Sequence, residues 1–227
     1  MVVLAAVWLL AACRASPPSE SAPPPPAEAP AAAPTPSGDE GRPRVVILGD
    51  SLTAGLGLLE AQSYPALLQQ KIDAEGYDFE VENAGVSGDT SAGALRRLDW
   101  SLQGNVKVLV VALGGNDGLR GLSTAEMKNN LTQIIEGARQ RNVKVILAGM
   151  EAPPNYGGEY ATAFRQVFRE VAQKERVTFI PFLLDKVAGQ PGLNQGDGFH
   201  PNARGAEIVA DTVWNVLRPA LDQISTS

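Results

Sequence analysis

The sequence predicts an α/β fold of three layers, α/β/α, with a central and mostly five-stranded parallel sheet. Five short runs rich in β-branched residues alternate with longer amphipathic patterns between residues 41 and 227. The runs are apolar at consecutive positions, as expected of strands that are buried on both faces. The length of 227 residues suits one such domain. The first 40 residues differ from the rest in composition and form a separate segment.

Each predicted strand is short and is bounded by residues that favour a turn or a loop. The first strand, for example, ends at Gly49. The five predicted strands comprise residues 44–48, 79–82, 106–113, 143–148 and 177–180.

Four apolar stripes with a spacing of three or four residues predict helices between and after these strands. The first stripe stops near Gly76, which suits a helix C-cap, and Ser123 followed by Glu126 is typical of a capping box that opens the second. The stripes consist of Tyr64, Leu67, Leu68 and Ile72; Met127, Leu131, Ile134 and Ala138; Tyr160, Phe164, Val167, Phe168 and Val171; and Val209, Val213, Val216 and Leu217. We assign these side chains to the core rather than to a function.

Residues 1–13 predict an export signal with a site of lipid attachment. Residues 1–12 are apolar throughout, a run that is too short to span a bilayer but typical of the core of a signal peptide. The run ends in Leu10-Ala11-Ala12-Cys13, which resembles the bacterial lipobox, in which the cysteine thiol is acylated and the cysteine becomes the new N-terminus. The alternative is an ordinary export signal that happens to contain a cysteine.

Residues 14–40 predict a disordered linker rich in proline and alanine. They hold nine of the 17 prolines and almost no large apolar side chain, so they cannot bury enough surface to offset the entropy of ordering. At roughly 3 Å per residue, such a linker reaches about 80 Å. Together with acylated Cys13 it predicts a lipoprotein of the bacterial cell envelope, anchored to a membrane and facing the periplasm; the alternative is a tail with no anchoring role.

The composition excludes several classes of function. The 25 acidic residues outnumber the 19 basic ones, which gives a net charge of −6 and disfavours nucleic acid as a partner. One histidine and one cysteine cannot supply the four ligands of a structural His/Cys zinc site, and a single cysteine forms no disulfide within the chain. We therefore expect no metal and no cofactor.

Polar residues follow three of the predicted strands and precede the last predicted helix. These blocks are residues 49–52, 83–90, 114–118 and 197–201. Each block alone has an ordinary explanation, such as a turn, an N-cap or an inert surface histidine. Ligands of parallel α/β sheets bind beyond the carboxyl ends of the strands, so the order and placement of the four blocks together predict a site at that edge.

This constellation resembles the GDSL, or SGNH, hydrolase family, and within it the bacterial periplasmic arylesterases, acyl-thioesterases and lysophospholipases. The likeness covers residues 43–220 and implies the flavodoxin-like SGNH hydrolase fold. The general esterase motif Gly-x-Ser-x-Gly is absent from the sequence, which disfavours the other large class of serine esterases. The residues that fall on the family's four motifs are Ser51, Gly88, Asn116, Asp197 and His200.

The resemblance implies a catalytic triad of Ser51, His200 and Asp197. A serine hydroxyl is too weakly acidic to attack an ester unaided, so a neutral imidazole must accept its proton. His200 is the only histidine of the chain. Asp197 lies three residues earlier, from where its carboxylate can accept from the imidazole and fix the tautomer.

The resemblance also implies an oxyanion hole. The donors would be the backbone N–H of Ser51, the backbone N–H of Gly88 and the side-chain amide of Asn116, each worth on the order of 3 kcal/mol in comparable hydrolases. Asp50 and Asp117 are expected to stabilise turns or neighbouring groups rather than to act as the base.

We expect a monomeric serine esterase that hydrolyses carboxylic esters and thioesters through an acyl-enzyme on Ser51. Its expected partners are small esters, thioesters or lysophospholipids, and a membrane through the N-terminal lipid. The alternatives are a carbohydrate O-acetylesterase and a non-catalytic surface lipoprotein that binds glycan or lipid. Four intact blocks favour catalysis, and an aromatic content of 6% leaves little material for stacking on sugars.

The substrate preference depends on the loops expected to flank the pocket, residues 118–123 and 151–158. Glu151 places an acid in the second loop. We therefore expect strongly anionic substrates to be disfavoured, and neutral esters or thioesters with short to medium acyl chains to be preferred.

Overall fold

The computed structural model describes residues 41–226. The predicted signal peptide, Cys13 and the predicted linker of residues 14–40 lie outside the described residues.

Five parallel strands form a single sheet in the spatial order β2-β1-β3-β4-β5. The strands are β1 (Arg44–Gly49), β2 (Glu80–Gly85), β3 (Val106–Ala112), β4 (Lys144–Ala148) and β5 (Thr178–Ile180). Helices cover both faces, so the predicted α/β fold with a five-stranded parallel sheet is confirmed.

Strand β2 ends three residues later than the sequence predicts. Residues 83–85 continue the pairing with β1, where Asn83 lies opposite Ile47 and Gly85 lies opposite Gly49. Their side chains are polar or small, so the β-branched pattern that marks the other strands does not extend to them. The neighbouring strand supplies the hydrogen bonds that keep them extended.

The helices are α1 (Ser51–Ala54), α2 (Tyr64–Ala74), α3 (Ser91–Arg96), α4 (Leu98–Ser101), α5 (Gly115–Leu119), α6 (Thr124–Arg139), α7 (Gly157–Glu175) and α8 (Ala203–Ser225). The apolar stripes predict the four long ones, α2, α6, α7 and α8. Ser123 Oγ accepts from the Glu126 N–H at 3.3 Å, which supplies half of the predicted capping box. The short helices α3 and α4 lack a full apolar stripe and were not predicted.

The helices form two groups, one on each face of the sheet. Helix α2 packs against α8, whereas α6 packs against both α3 and α7. No helix within residues 41–226 combines the length and the apolar character needed to cross a bilayer.

The core lies on both faces of β1 and β3, the two inner strands nearest the site. Val45, Val46, Ile47 and Leu48 of β1 are fully buried. Phe164 of α7 is also fully buried. Each fully buried side chain of this size contributes about 1.5–3 kcal/mol to folding, so the position of β1 is strongly determined.

The strand order changes direction at β1. The chain runs from β1 outward to β2 and then returns across β1 to form β3 on its other side. The loops that follow β1 and β3 therefore diverge and leave a crevice at the carboxyl end of the sheet, where ligands bind in open α/β folds.

Gly85 at the end of β2 lies directly against α1. A Cβ atom at this position would lie 2.3 Å from the backbone nitrogen of Ala54 and 2.7 Å from the carbonyl carbon of Thr53. Neither neighbour is a flexible side chain, so only a shift of α1 could make room.

We expect Gly85→Ala to lower the free energy of unfolding by about 1–3 kcal/mol, because the added methyl group overpacks the contact with α1. Urea denaturation would measure the loss. Gly158→Ala in α7 is the matched control, since no atom lies within 4 Å of its Cβ position. Equal unfolding midpoints for the two variants would contradict the prediction.

Candidate active site

Ser51 is the first residue of α1 and lies two residues beyond Gly49, the end of β1. Asp50 caps this helix, because its carboxylate accepts from the Leu52 N–H at 3.0 Å. The helix ends after four residues at Gly55, whose φ of 72° is left-handed. This short turn places Ser51 in the crevice at the carboxyl edge of the sheet.

Ser51, His200 and Asp197 form a continuous chain of hydrogen bonds. His200 Nε2 lies 2.9 Å from Ser51 Oγ, although 149 positions separate the two residues. His200 Nδ1 lies 2.7 Å from Asp197 Oδ2. A carboxylate can only accept, so Nδ1 carries the proton and Nε2 presents its lone pair to the serine hydroxyl.

Asp197 is held as a carboxylate by its surroundings. Its Oδ1 accepts from the N–H groups of Phe199 and His200 at 2.9 and 3.0 Å. These two bonds, followed by the bond to the imidazole, lower the pKa of Asp197 from 3.8 to about 2. The acceptor that orients the imidazole therefore stays ionised throughout the neutral range.

Gln195 fastens the loop that carries Asp197 and His200. Its Nε2 donates to the carbonyl oxygens of Leu56 and Pro201 at 2.7 and 2.9 Å, and its backbone N–H donates to the carbonyl oxygen of His200 at 2.7 Å. Leu56 follows α1, so one side chain joins the histidine loop to the segment that carries the serine.

Gly88 lies in the turn after β2. Its φ of 81° is a left-handed conformation that glycine adopts without strain. Its carbonyl oxygen accepts from Arg120 Nη2 at 2.7 Å. Among the hydrogen bonds of residues 41–226, none uses the N–H of Gly88 or the N–H of Ser51, so both donors are free.

Asn116 belongs to α5, which follows β3. Its Nδ2 donates to the carbonyl oxygen of Asp89 at 3.0 Å and approaches Asp50 Oδ2 at 3.4 Å. The first bond fixes the orientation of the amide. The second bond is long and weak, so this N–H remains available to a stronger acceptor.

Asp50 is an ionisable group beneath the site and is only 2% exposed. Burial raises its pKa from 3.8 to about 6, although the bond from the Leu52 N–H and the charge of protonated His200 oppose the rise. Asp117 is also buried, and it accepts from the N–H and the hydroxyl of Ser91 at 2.9 and 2.6 Å. Both acids hold neighbouring backbone or side chains, in keeping with the expectation that neither is the base.

The family is decided by comparison with known proteins. Residues 47–208 match the GDSL-like lipase/acylhydrolase family, which is more than half of the chain. The chain belongs to this family. The resemblance inferred from the four motifs is thus confirmed.

Characterised relatives cover most of the chain. Esterase TesA of Pseudomonas aeruginosa is 44% identical over 178 residues, or 78% of this chain and 89% of that protein. Thioesterase 1/protease 1/lysophospholipase L1 of Escherichia coli K12 is 36% identical over 182 residues, or 80% of this chain and 86% of that protein. The structure of the psychrotrophic esterase EstA from Pseudoalteromonas sp., inhibited by monoethylphosphonate, superposes with a TM-score of 0.74 at 34% identity and covers 79% of this chain and 98% of its own.

In this member of the GDSL-like family, a pocket of about 330 Å³ opens beside Ser51 and His200. Asn116 and Asp50 form part of its wall, whereas Gly88 is not among the residues that line it. Its apolar lining consists of Leu52, Leu119, Met150, Ala152, Pro153, Phe182, Leu184, Ala188 and Phe199. Within residues 41–226, no group of three or more His, Cys, Asp or Glu side chains is placed to hold a metal ion.

Glu151 lines this pocket, but its charge is paired. Arg165 Nε lies 2.6 and 2.8 Å from the two carboxylate oxygens, and Arg165 Nη2 lies 2.7 Å from Oε2. The paired acid repels an anionic substrate less strongly than the isolated acid that the sequence led us to expect.

Several side chains that hold the site together carry no recognisable signal in the sequence. No motif marks Gln195, Arg97 or Asn130, which are common surface types. Asn130 Nδ2 donates to Ser91 Oγ at 3.0 Å, on the hydroxyl that Asp117 accepts from. Arg97 lies eight residues after Asp89, a separation from which no contact follows. Their ion pair, whose Nε–Oδ2 distance is 2.7 Å, is seen only in the fold.

The raised pKa of buried Asp50 predicts that its contribution to the free energy of unfolding varies with pH. The unfolded chain releases this proton near pH 3.8 and the folded chain near pH 6, so the folded state binds it more tightly between these values. The contribution of Asp50 to the free energy of unfolding therefore falls as pH rises through this window, by about 3 kcal/mol in all.

Asp50→Asn removes this titration and retains an oxygen for the Leu52 N–H. We expect the free energy of unfolding of the variant, relative to the original protein, to rise by about 2–3 kcal/mol between pH 4 and pH 7.5 and then to level off. Urea denaturation at several pH values would measure it. A difference that does not change with pH would refute the prediction.

Proposed function

We propose that this protein is a serine esterase that hydrolyses carboxylic esters and thioesters through an acyl-enzyme on Ser51. The observation that carries the proposal is the hydrogen-bonded chain of Ser51, His200 and Asp197 beside an apolar pocket. A non-catalytic binding protein has no need of a serine, an imidazole and a carboxylate in this order. Relatives named as an esterase and as a thioesterase and lysophospholipase support the substrate class.

The first half of the reaction forms the acyl-enzyme. His200 Nε2 takes the proton of Ser51 Oγ as the oxygen attacks the substrate carbonyl carbon. The imidazolium then gives this proton to the departing oxygen or sulfur, and the alcohol or thiol leaves. Asp197 stays ionised throughout and stabilises the positive imidazolium.

The second half of the reaction releases the acid. His200 Nε2 accepts a proton from a water molecule, whose oxygen attacks the acyl carbon. Collapse of this second tetrahedral intermediate breaks the bond to Ser51 Oγ, which recovers its proton from His200.

Both tetrahedral intermediates carry negative charge on the former carbonyl oxygen. The proposed donors are the N–H of Ser51, the N–H of Gly88 and Nδ2 of Asn116, which follow β1, β2 and β3 in turn. The two backbone N–H groups have no other acceptor among the described residues, and the amide has one weakly engaged hydrogen. Donors that are already aligned need little reorganisation when the charge develops.

Loss of the nucleophile or of the base would test the mechanism. We expect Ser51→Ala and His200→Ala each to lower kcat/KM for p-nitrophenyl butyrate by on the order of 10⁴ or more, because the triad acts as a unit. Ser87→Ala changes an exposed serine in the turn after β2 and serves as the control. Near-normal turnover in either triad variant would remove the mechanism.

The apolar lining favours neutral acyl groups, and the pair of Glu151 and Arg165 sets the charge at the pocket wall. Glu151→Gln would leave the Arg165 cation unpaired there. We expect kcat/KM for an anionic ester, p-nitrophenyl succinate, to rise about three- to tenfold at low salt, with p-nitrophenyl butyrate changed less than twofold.

Glu170→Gln is the matched control for this charge change. Glu170 lies in α7, the helix that carries Arg165, and it pairs with Lys128 at 2.6 Å but does not line the pocket. The same rise in both variants, or a rise in neither, would show that Glu151 does not govern the charge preference.

We also propose, from the sequence, that the protein is a periplasmic lipoprotein anchored through Cys13. The support is the lipobox-like Leu10-Ala11-Ala12-Cys13 and the proline-rich segment that follows it. An anchored esterase would meet lysophospholipids where they arise, at a membrane surface.

Replacement of the acylated thiol would test the anchor. We expect Cys13→Ser to move the protein from the membrane fraction to the soluble fraction, because serine lacks the thiol to which the lipid would be attached. Ser51→Ala, which retains Cys13, should stay with the membranes. Membrane fractionation of Cys13→Ser unchanged from that of the original protein would contradict the anchor.

A further inference from the structure

Arg97, which follows α3, makes three hydrogen bonds with one guanidinium group. Its Nε donates to Asp89 Oδ2 at 2.7 Å, its Nη1 to the carbonyl oxygen of Ala84 at 2.8 Å, and its Nη2 to the carbonyl oxygen of Gly49 at 2.9 Å. All three nitrogen atoms of the side chain are engaged. Its acceptors belong to three separate positions near the carboxyl edge of the sheet.

Each acceptor lies in a segment that contains a proposed oxyanion donor or forms a hydrogen bond with one. Gly49 ends β1 and lies two residues before Ser51. Asp89 adjoins Gly88, and its carbonyl oxygen fixes the Asn116 amide at 3.0 Å. One guanidinium therefore links the positions of all three donors.

We propose that Arg97 is a positioning residue that sets the relative placement of the three oxyanion donors. The inference rests on the proposed function, because it assigns a task within the same site. Arg97 does not line the pocket, so it acts through Gly49, Ala84 and Asp89 rather than on the substrate.

The chemistry of the guanidinium suits this task. Arginine presents its donors in a rigid plane and can hold three acceptors at fixed angles, whereas lysine is a point charge on a flexible stem. The side chains of Arg97 and Asp89 are only 19% and 12% exposed, so water screens their interaction little. Gly93 leaves room for the carboxylate, because a Cβ there would lie 1.7 Å from Asp89 Oδ1.

Arg97→Lys tests the proposal, with p-nitrophenyl butyrate as substrate. Displaced donors weaken binding of the transition state more than binding of the neutral ester, so we expect kcat to fall about 10- to 100-fold with KM within about twofold. The control is Arg139→Lys, since Arg139 pairs with Glu175 and is not part of the site. Rates would be normalised to the fraction of active serine, titrated with a p-nitrophenyl phosphonate.

A double variant separates positioning from general loosening of the fold. If Arg97 acts through the donors, its effect on kcat should shrink at least threefold in an Asn116→Ala background, because part of the oxyanion hole is already lost. A full, multiplicative effect in that background would overturn the proposal.

A second variant keeps the proposal falsifiable if Arg97→Lys fails to fold. Asp89→Asn retains the shape of the side chain and removes the charge that Arg97 Nε contacts, and it should lower kcat with little change in KM. Suppose that Ser51→Ala is inactive but that Arg97→Lys or Asp89→Asn, whichever folds, has an unchanged kcat. This result overturns the role of Arg97 and leaves the proposed function standing. Full activity in Ser51→Ala overturns the proposed function and this inference with it.

Discussion

The hydrogen bond from Ser51 Oγ to His200 Nε2 joins groups that reach the site from opposite ends of the domain. Ser51 follows the first strand, whereas His200 precedes the last helix, and the bond measures 2.9 Å. Such a contact forms only if the whole sheet is assembled. Gln195 then holds the two segments together by bonding to the carbonyl oxygen of Leu56. Every chemical step proposed for the site depends on the hydrogen bond between Ser51 and His200.

The polar network behind the site costs stability. Asp50 and Asp117 are almost fully buried, and the pKa of Asp50 is raised to about 6 because its carboxylate is removed from water. Each of these acids orients a group at the site: Asp50 caps the helix of Ser51, and Asp117 holds the start of α3 through Ser91. The ion pair of Arg97 and Asp89 extends the same network beneath the turn of Gly88. The buried apolar core of β1 and β3 offsets these costs.

A tertiary contact changes the charge that Glu151 presents to the pocket. Glu151 by itself suggested a site that rejects anions. Arg165 lies in α7, the long helix that follows the loop of Glu151. It pairs with both carboxylate oxygens of Glu151 and largely cancels that charge. The apolar lining then becomes the dominant feature of the pocket, which supports the proposed preference for neutral acyl groups.

Apolar periodicity predicted the α/β fold and the four long helices, and the four short motifs predicted the family, because all of these patterns are local in the sequence. The sequence also predicted Ser51 and His200 as catalytic residues, since the chain has one histidine and the motifs are adjacent to predicted turns. Three features are visible only in the folded chain: β2 extends to Gly85, Arg165 pairs with Glu151, and Arg97 links three segments of the site. Each of these depends on contacts between groups from separate strands, helices or loops, and no local pattern records which partner a strand end or a charged side chain will meet.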